Sequence, residues 1–97
     1  MKVSIPHKYS QIEAMTRVQK ILNESRSKLA EHLSDVEERW EGSTLHFAFT
    51  AQKQHITGTL EVKDRAFDLY AKLPFTLRLF EGRIEKMIRE QAHAMIG

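Results

Sequence analysis

Residues 44–73 read TLHFAFTAQKQHITGTLEVKDRAFDLYAKL, and the period of this stretch decides the fold. Leu45, Phe47 and Phe49 alternate with Thr44, His46, Ala48 and Thr50. Ile56, Gly58, Leu60 and Val62 alternate with His55, Thr57, Thr59 and Glu61, and Phe67, Leu69, Ala71 and Leu73 with Asp68, Tyr70 and Lys72. A period of 2 is the strand signature, because successive side chains point to opposite faces. The polar connections Ala51–Gln54 and Lys63-Asp64-Arg65 are too short for a crossover, so these strands form an antiparallel meander. One face is aromatic and aliphatic. The other carries Thr, His and charge and is expected to be wet.

Upstream, Val36 and Trp40 share a parity and Glu41-Gly42-Ser43 is a turn signal, which adds a strand to the meander. Before it, Ser10-Gln11-Ile12-Glu13 fits the S-x-x-E capping box that opens a helix. Ile12, Met15, Val18, Ile21, Leu22, Leu29 and Leu33 follow at steps of three and four, the apolar stripe of a helix from Ser10 to Leu33. Val3 and Ile5 alternate with Lys2 and Ser4 and are closed by Pro6, a short first strand. Downstream, Pro74 ends the last strand. Leu77, Phe80, Ile84, Met87, Ile88, Ala92 and Met95 return to helical spacing, with Gly82 marking either the end of a loose first turn over Thr76–Glu81 or a close approach by a neighbour. The expected order is β-α-β-β-β-β-α. This is an α+β fold in which a four- to five-stranded antiparallel meander carries two amphipathic helices on its apolar face, as one domain over residues 1–97.

Composition narrows the function classes. The 97 residues hold 15 Lys+Arg against 13 Asp+Glu, a net charge of +2, which argues against a histone-like or an acidic-tail protein. There is no cysteine, so disulfides, thiol nucleophiles and Cys-type zinc sites are excluded together. No apolar run reaches the ~18–20 residues of a membrane span, and MKVSIP lacks the apolar stretch of a secretory signal. The expected compartment is the cytoplasm.

No reaction is spelled out by the residues. His7, His32, His46, His55 and His93 form no H-x-x-x-H, H-x-H or H-E-x-x-H spacing. His46 and His55 share the polar sheet face and are the one pair that adjacent strands could bring together, but two solvent-facing strand histidines are the simpler account. Ser43 after Gly42 is hairpin chemistry rather than a nucleophile turn. The carboxylate pairs Glu37/Glu38 and Glu81/Glu85 read as solvated surface. No glycine-rich phosphate loop occurs, and no cofactor is expected. Base stacking on the wet sheet face would need aromatics there. Phe47, Phe49 and Phe67 fall on the other parity and Tyr70 stands alone, so nucleic acid is not expected. The apolar stripes of the helices serve the core first. A part of the last one, Met87, Ile88, Met95 and Ile96, is the candidate surface for docking on a partner or an apolar interface, and free sheet edges offer a homodimer.

Three segments carry a resemblance to a known family. Trp40-Glu41-Gly42-Ser43-Thr44-Leu45-His46-Phe47 is similar to a W-x-G-[DS]-T-L-x-F hairpin. Gly58-x-Leu60-x-Val62-x-Asp64 resembles the following strand and turn, and Leu73-Pro74-Phe75 with Gly82-Arg83-Ile84-Glu85 and Ile88 the closing segment. The family is the polyhydroxyalkanoate granule-region family. One departure is Ala51-Gln52-Lys53-Gln54, which lacks the glycine expected in that turn. The resemblance implies a small bacterial protein tied to storage-polyester metabolism by gene neighbourhood, with no catalytic residues to carry over. It implies a non-enzymatic accessory protein that docks on the polyester granule or on a granule protein. The alternative is a small apolar-ligand binder of shortened helix-grip type. An enzyme acting on hydroxyacyl groups comes third, for want of a nucleophile motif.

Overall fold

The computed structural model describes residues 1–96. The elements run β1 (Lys2–Pro6), α1 (Gln11–His32), β2 (Ser34–Glu41), β3 (Thr44–Ala51), β4 (Gln54–Lys63), β5 (Ala66–Lys72), a single-turn α2 (Phe75–Arg78) and α3 (Glu81–Ile96). The order β-α-β-β-β-β-α expected from periodicity is the order found. All pairings are antiparallel, and the five strands lie in the order β1-β5-β4-β3-β2. The meander is β2 to β5, and the first strand is the fifth of the sheet, paired on the outer side of β5.

The register aligns apolar rows across the sheet. Trp40, Leu45, Leu60, Leu69 and Val3 are paired in one row, and Val62, Phe67 and Ile5 in the next. Helix α1 lies on this face. Its Ala14 and Val18 pack with Val62 and Phe67 as the buried cluster, and Met15, Leu22 and Trp40 close around it. Ala14 and Val18, with half-buried Leu22, recur every four residues, so the buried line of α1 is narrower than the stripe read from size alone. Ile12, expected on that stripe, is 78% exposed. The small Ala14 permits the close approach of helix to sheet, and Ile12 is two residues away around the helix.

The turns explain the register. At Gly42 φ is +61°, the left-handed backbone that favours glycine in a two-residue hairpin loop. The loop between β3 and β4 takes the same backbone at both Gln52 (φ +49°) and Lys53 (φ +68°). That is the type I′ requirement, met without the usual Asn or Gly. Between Ser34 and Glu37 the register of β2 slips by a bulge, with Asp35 at φ +52°. Trp40 packs on the core, whereas Val36, within the bulged stretch of this edge strand, is exposed.

The β1–α1 loop is clasped to the β4–β5 turn. His7 N–H donates to the Arg65 carbonyl at 2.9 Å and the Arg65 guanidinium to the Lys8 carbonyl at 2.7 Å. Ser10 caps α1, its hydroxyl accepting from Glu13 N–H at 3.2 Å. A second cap comes from outside the helix: Asp64 Oδ1 accepts from Gln11 N–H at 2.7 Å.

Candidate functional site

The C-terminal segment carries the surface feature that is hardest to explain by folding. Pro74 stops β5, and its carbonyl accepts from Leu77 N–H at 2.9 Å, forming α2. Phe80 N–H then bonds the Leu77 carbonyl at 3.0 Å, and the Phe80 carbonyl accepts from Ile84 N–H at 2.9 Å, starting α3. This two-step entry buries Leu73 and half-buries Leu77, and it turns Phe75 (80% exposed), Leu79 (82%) and Phe80 (49%) outward. The loose turn expected over Thr76–Glu81 is therefore present. Nothing lies within 4 Å of where a Cβ on Gly82 would stand, so close approach is not the reason for that glycine.

Helix α3 has two apolar sides. Ile84, Ile88, Ala92 and Ile96 are half-buried and recur every four residues toward the body of the protein. Ile96 packs on the core cluster, and its carbonyl accepts from the Tyr9 hydroxyl at 3.0 Å. Arg89 donates to the Ser4 carbonyl on β1 at 2.7 Å. Met87 and Met95 face away, 59% and 57% exposed. Of the four residues singled out in the sequence, the structure thus places Met87 and Met95 on the free surface and turns Ile88 and Ile96 inward. Met87 shares a shallow groove of about 590 Å³ with Phe80, Arg83, Ile84, Lys86 and Glu90.

Periodicity missed Phe75 and Leu79. The signal was present as Leu73-Pro74-Phe75-Thr76-Leu77-Arg78-Leu79-Phe80, which holds more large apolar residues than one turn of helix can bury.

Other constellations disperse. His46 pairs with Glu41 at 3.3 Å and His55 with Thr50 at 3.1 Å. Since Thr50 is the residue facing His55, the two histidines stand about four residues apart along the strand direction, roughly 13 Å. Among the described residues no group of three or more His, Cys, Asp or Glu could hold a metal ion. Glu38 is held by Arg26 at 3.0 Å and Glu85 by Arg89 at 3.4 Å. Tyr70 and Lys2 share the polar face, the ammonium 5.5 Å from the ring centre. A broad open groove of about 660 Å³ runs between that face and Arg78 and Glu81.

Also on the polar face, Asp68, the one buried charged side chain among the described residues, is satisfied twice: by Lys63 at 2.6 Å and by the Ser4 hydroxyl at 2.9 Å. The hydrogen bond from Lys63, then that from Ser4, holds the Asp68 carboxyl below its ordinary range against the opposing effect of burial. The hydrogen bond and charge of Asp68 raise Lys63 in turn.

Fold and surface together define a small α+β protein whose C-terminal helical segment presents apolar side chains that its own sheet does not cover. The family model for "putative polyhydroxyalkanoic acid system protein" matches residues 1–96, and the chain belongs to that family. No curated protein and no solved structure matches it. No described helix is long and apolar enough to cross a membrane.

Proposed function

We propose that the protein is a non-enzymatic accessory factor of polyhydroxyalkanoate metabolism that docks on the storage-polyester granule through the α2–α3 surface. The observation that carries this reading is the clustering of exposure. Among the described residues, five of the seven exposed large apolar side chains are Phe75, Leu79, Phe80, Met87 and Met95. Single exposed apolar residues are ordinary on a protein surface, whereas such a run on one segment marks an interaction site. Family membership supplies the polyester context.

The test is co-sedimentation of the purified protein with native polyester granules. Phe75→Ser/Leu79→Ser is run beside the parent after circular dichroism shows both folded. Parent binding that the double variant loses supports the reading. A folded, monodisperse parent that stays in the supernatant ends it.

The apolar-ligand alternative fits the geometry less well. A helix-grip arrangement wraps its sheet around the last helix, but here α3 meets the sheet at the edge strand β1 and α1 occupies the apolar face. The two larger grooves flanking α3 are open to solvent, and the more enclosed one between β1 and the end of α3, lined by Ile5, Tyr9, Ala92 and Ile96, holds about 240 Å³, little for a ligand site.

A further inference from the structure

We infer that the α2–α3 surface is built for an anionic amphiphile layer, with unpaired cations on the same segment as its exposed apolar side chains, and that its partner is a film of anionic lipid headgroups over acyl chains. This rests on the docking reading above and adds the charge of the surface that is met. The argument comes from how the charges in this segment are used. Glu81 lies 3.1 Å from the amino group of Met1, and Glu85 is bonded to Arg89. Those two acids are neutralised within the protein. Lys72, Arg78, Arg83 and Lys86 are all exposed, and among the described residues none has an ion-pair or hydrogen-bond partner. Among the described residues of this segment, Glu90 is the one acid that stands against them without a partner.

The four cations flank the apolar residues closely in the chain. Lys72 precedes Phe75 by three residues, and Arg78 adjoins Leu79. Arg83 and Lys86 line the groove with Phe80 and Met87. A protein–protein contact that desolvated four unpartnered cations would need a matching set of acids. A headgroup layer offers anions at any lateral position, while the long Lys and Arg stems let the charge stay at headgroup level as the aromatic and aliphatic tip enters the chains. Phe75 and Leu79, at the start and just past the end of the single turn α2, are both about four-fifths exposed, which suits shallow insertion.

The experiment uses the full chain with vesicles of phosphatidylcholine alone and of phosphatidylcholine mixed with phosphatidylglycerol. Partitioning is measured by flotation at low and high salt. The expected result is binding to the anionic vesicles only, weakened by salt. Arg78→Gln and Arg83→Gln each lower the partition coefficient about fivefold, and Phe75→Ser/Leu79→Ser abolishes binding. Equal partitioning into both vesicle types, or none into either by a folded protein, overturns the inference. So does sedimentation equilibrium showing a dimer that Phe75→Ser/Leu79→Ser dissociates, since a second copy would then be the occupant. Granule binding that persists in Arg78→Gln/Arg83→Gln overturns the charge inference and leaves apolar docking standing. Loss of granule binding by the parent removes both.

Discussion

The ring of Phe47 lies across Gly58 on the neighbouring strand, its Cζ 2.7 Å from where a Cβ of residue 58 would stand. The glycine leaves a strand position without a side chain, and the aromatic covers the bare backbone. The Tyr70 carbonyl is closer still to that position. Gly58→Ala is therefore expected to destabilise by about 1–3 kcal/mol in urea unfolding. Because the tighter obstacle is backbone, Phe47→Ala in the same chain should not restore stability. Recovery in the double variant would show that the ring alone required the glycine.

The β3–β4 loop predicts the opposite sign. Gln52 and Lys53 both sit in left-handed backbone that costs an L residue roughly 1–2 kcal/mol. Lys53→Gly should raise stability by about 1 kcal/mol, seen as a thermal midpoint higher by about 4–8 °C.

Gly82 lies in the first turn of α3 with open space where a Cβ would go. Gly82→Ala should stabilise by about 0.5–1 kcal/mol, the ordinary helix advantage of alanine, measured by the same unfolding. A destabilised Gly82→Ala would show that this position needs more than helical backbone.

The Asp68–Lys63 pair fixes two pH windows. The folded Asp68 carboxyl titrates below its usual 3.8, so its contribution is complete above that value and is lost as pH falls through the lowered one. Lys63 titrates above its usual 10.5, so its contribution is complete below that value and is lost as pH rises through the raised one. Asp68→Asn should lower stability at neutral pH and flatten the loss below about pH 4. An unchanged acid limb in chemical unfolding at graded pH would contradict the assignment.

Phe75→Ser/Leu79→Ser should leave unfolding within about 0.5 kcal/mol of the parent, because both side chains are already in water. A large loss would mean that these residues serve the fold.

The sheet was legible because one face of it is apolar, which keeps a period of 2 within each of the strands between Leu45 and Leu73. Ser10 and Gly42 were legible for local reasons, a cap and a turn whose chemistry sits at the residue itself. What could not be read depends on distant chain. Asp64 caps a helix more than fifty residues away. The preference for Ala14 over Ile12 depends on how closely α1 approaches Val62 and Phe67. In α3 the sequence offers apolar residues on two sides, and only contact with β1 decides that Ile88 turns inward while Met87 stays outside. Pattern therefore did not separate the half-buried Ile88 and Ile96 from the exposed Met87 and Met95, and the exposed residues of α2 were hidden because one turn of helix is too short to show a period.

Strand β2 ends the sheet with a row of unpaired backbone groups, the kind of edge on which copies of a protein stack when crowded. A bulge between Ser34 and Glu37 shifts the register of that edge, and there Asp35 and Glu37 have no ion-pair partner among the described residues, while Arg26 holds Glu38 and Arg39 lies 3.7 Å from Glu41. Two such edges brought together would meet with mismatched spacing and with the unpaired Asp35 and Glu37 of both copies. An edge built this way resists pairing with a second copy and so resists growth into a fibre when the protein is crowded.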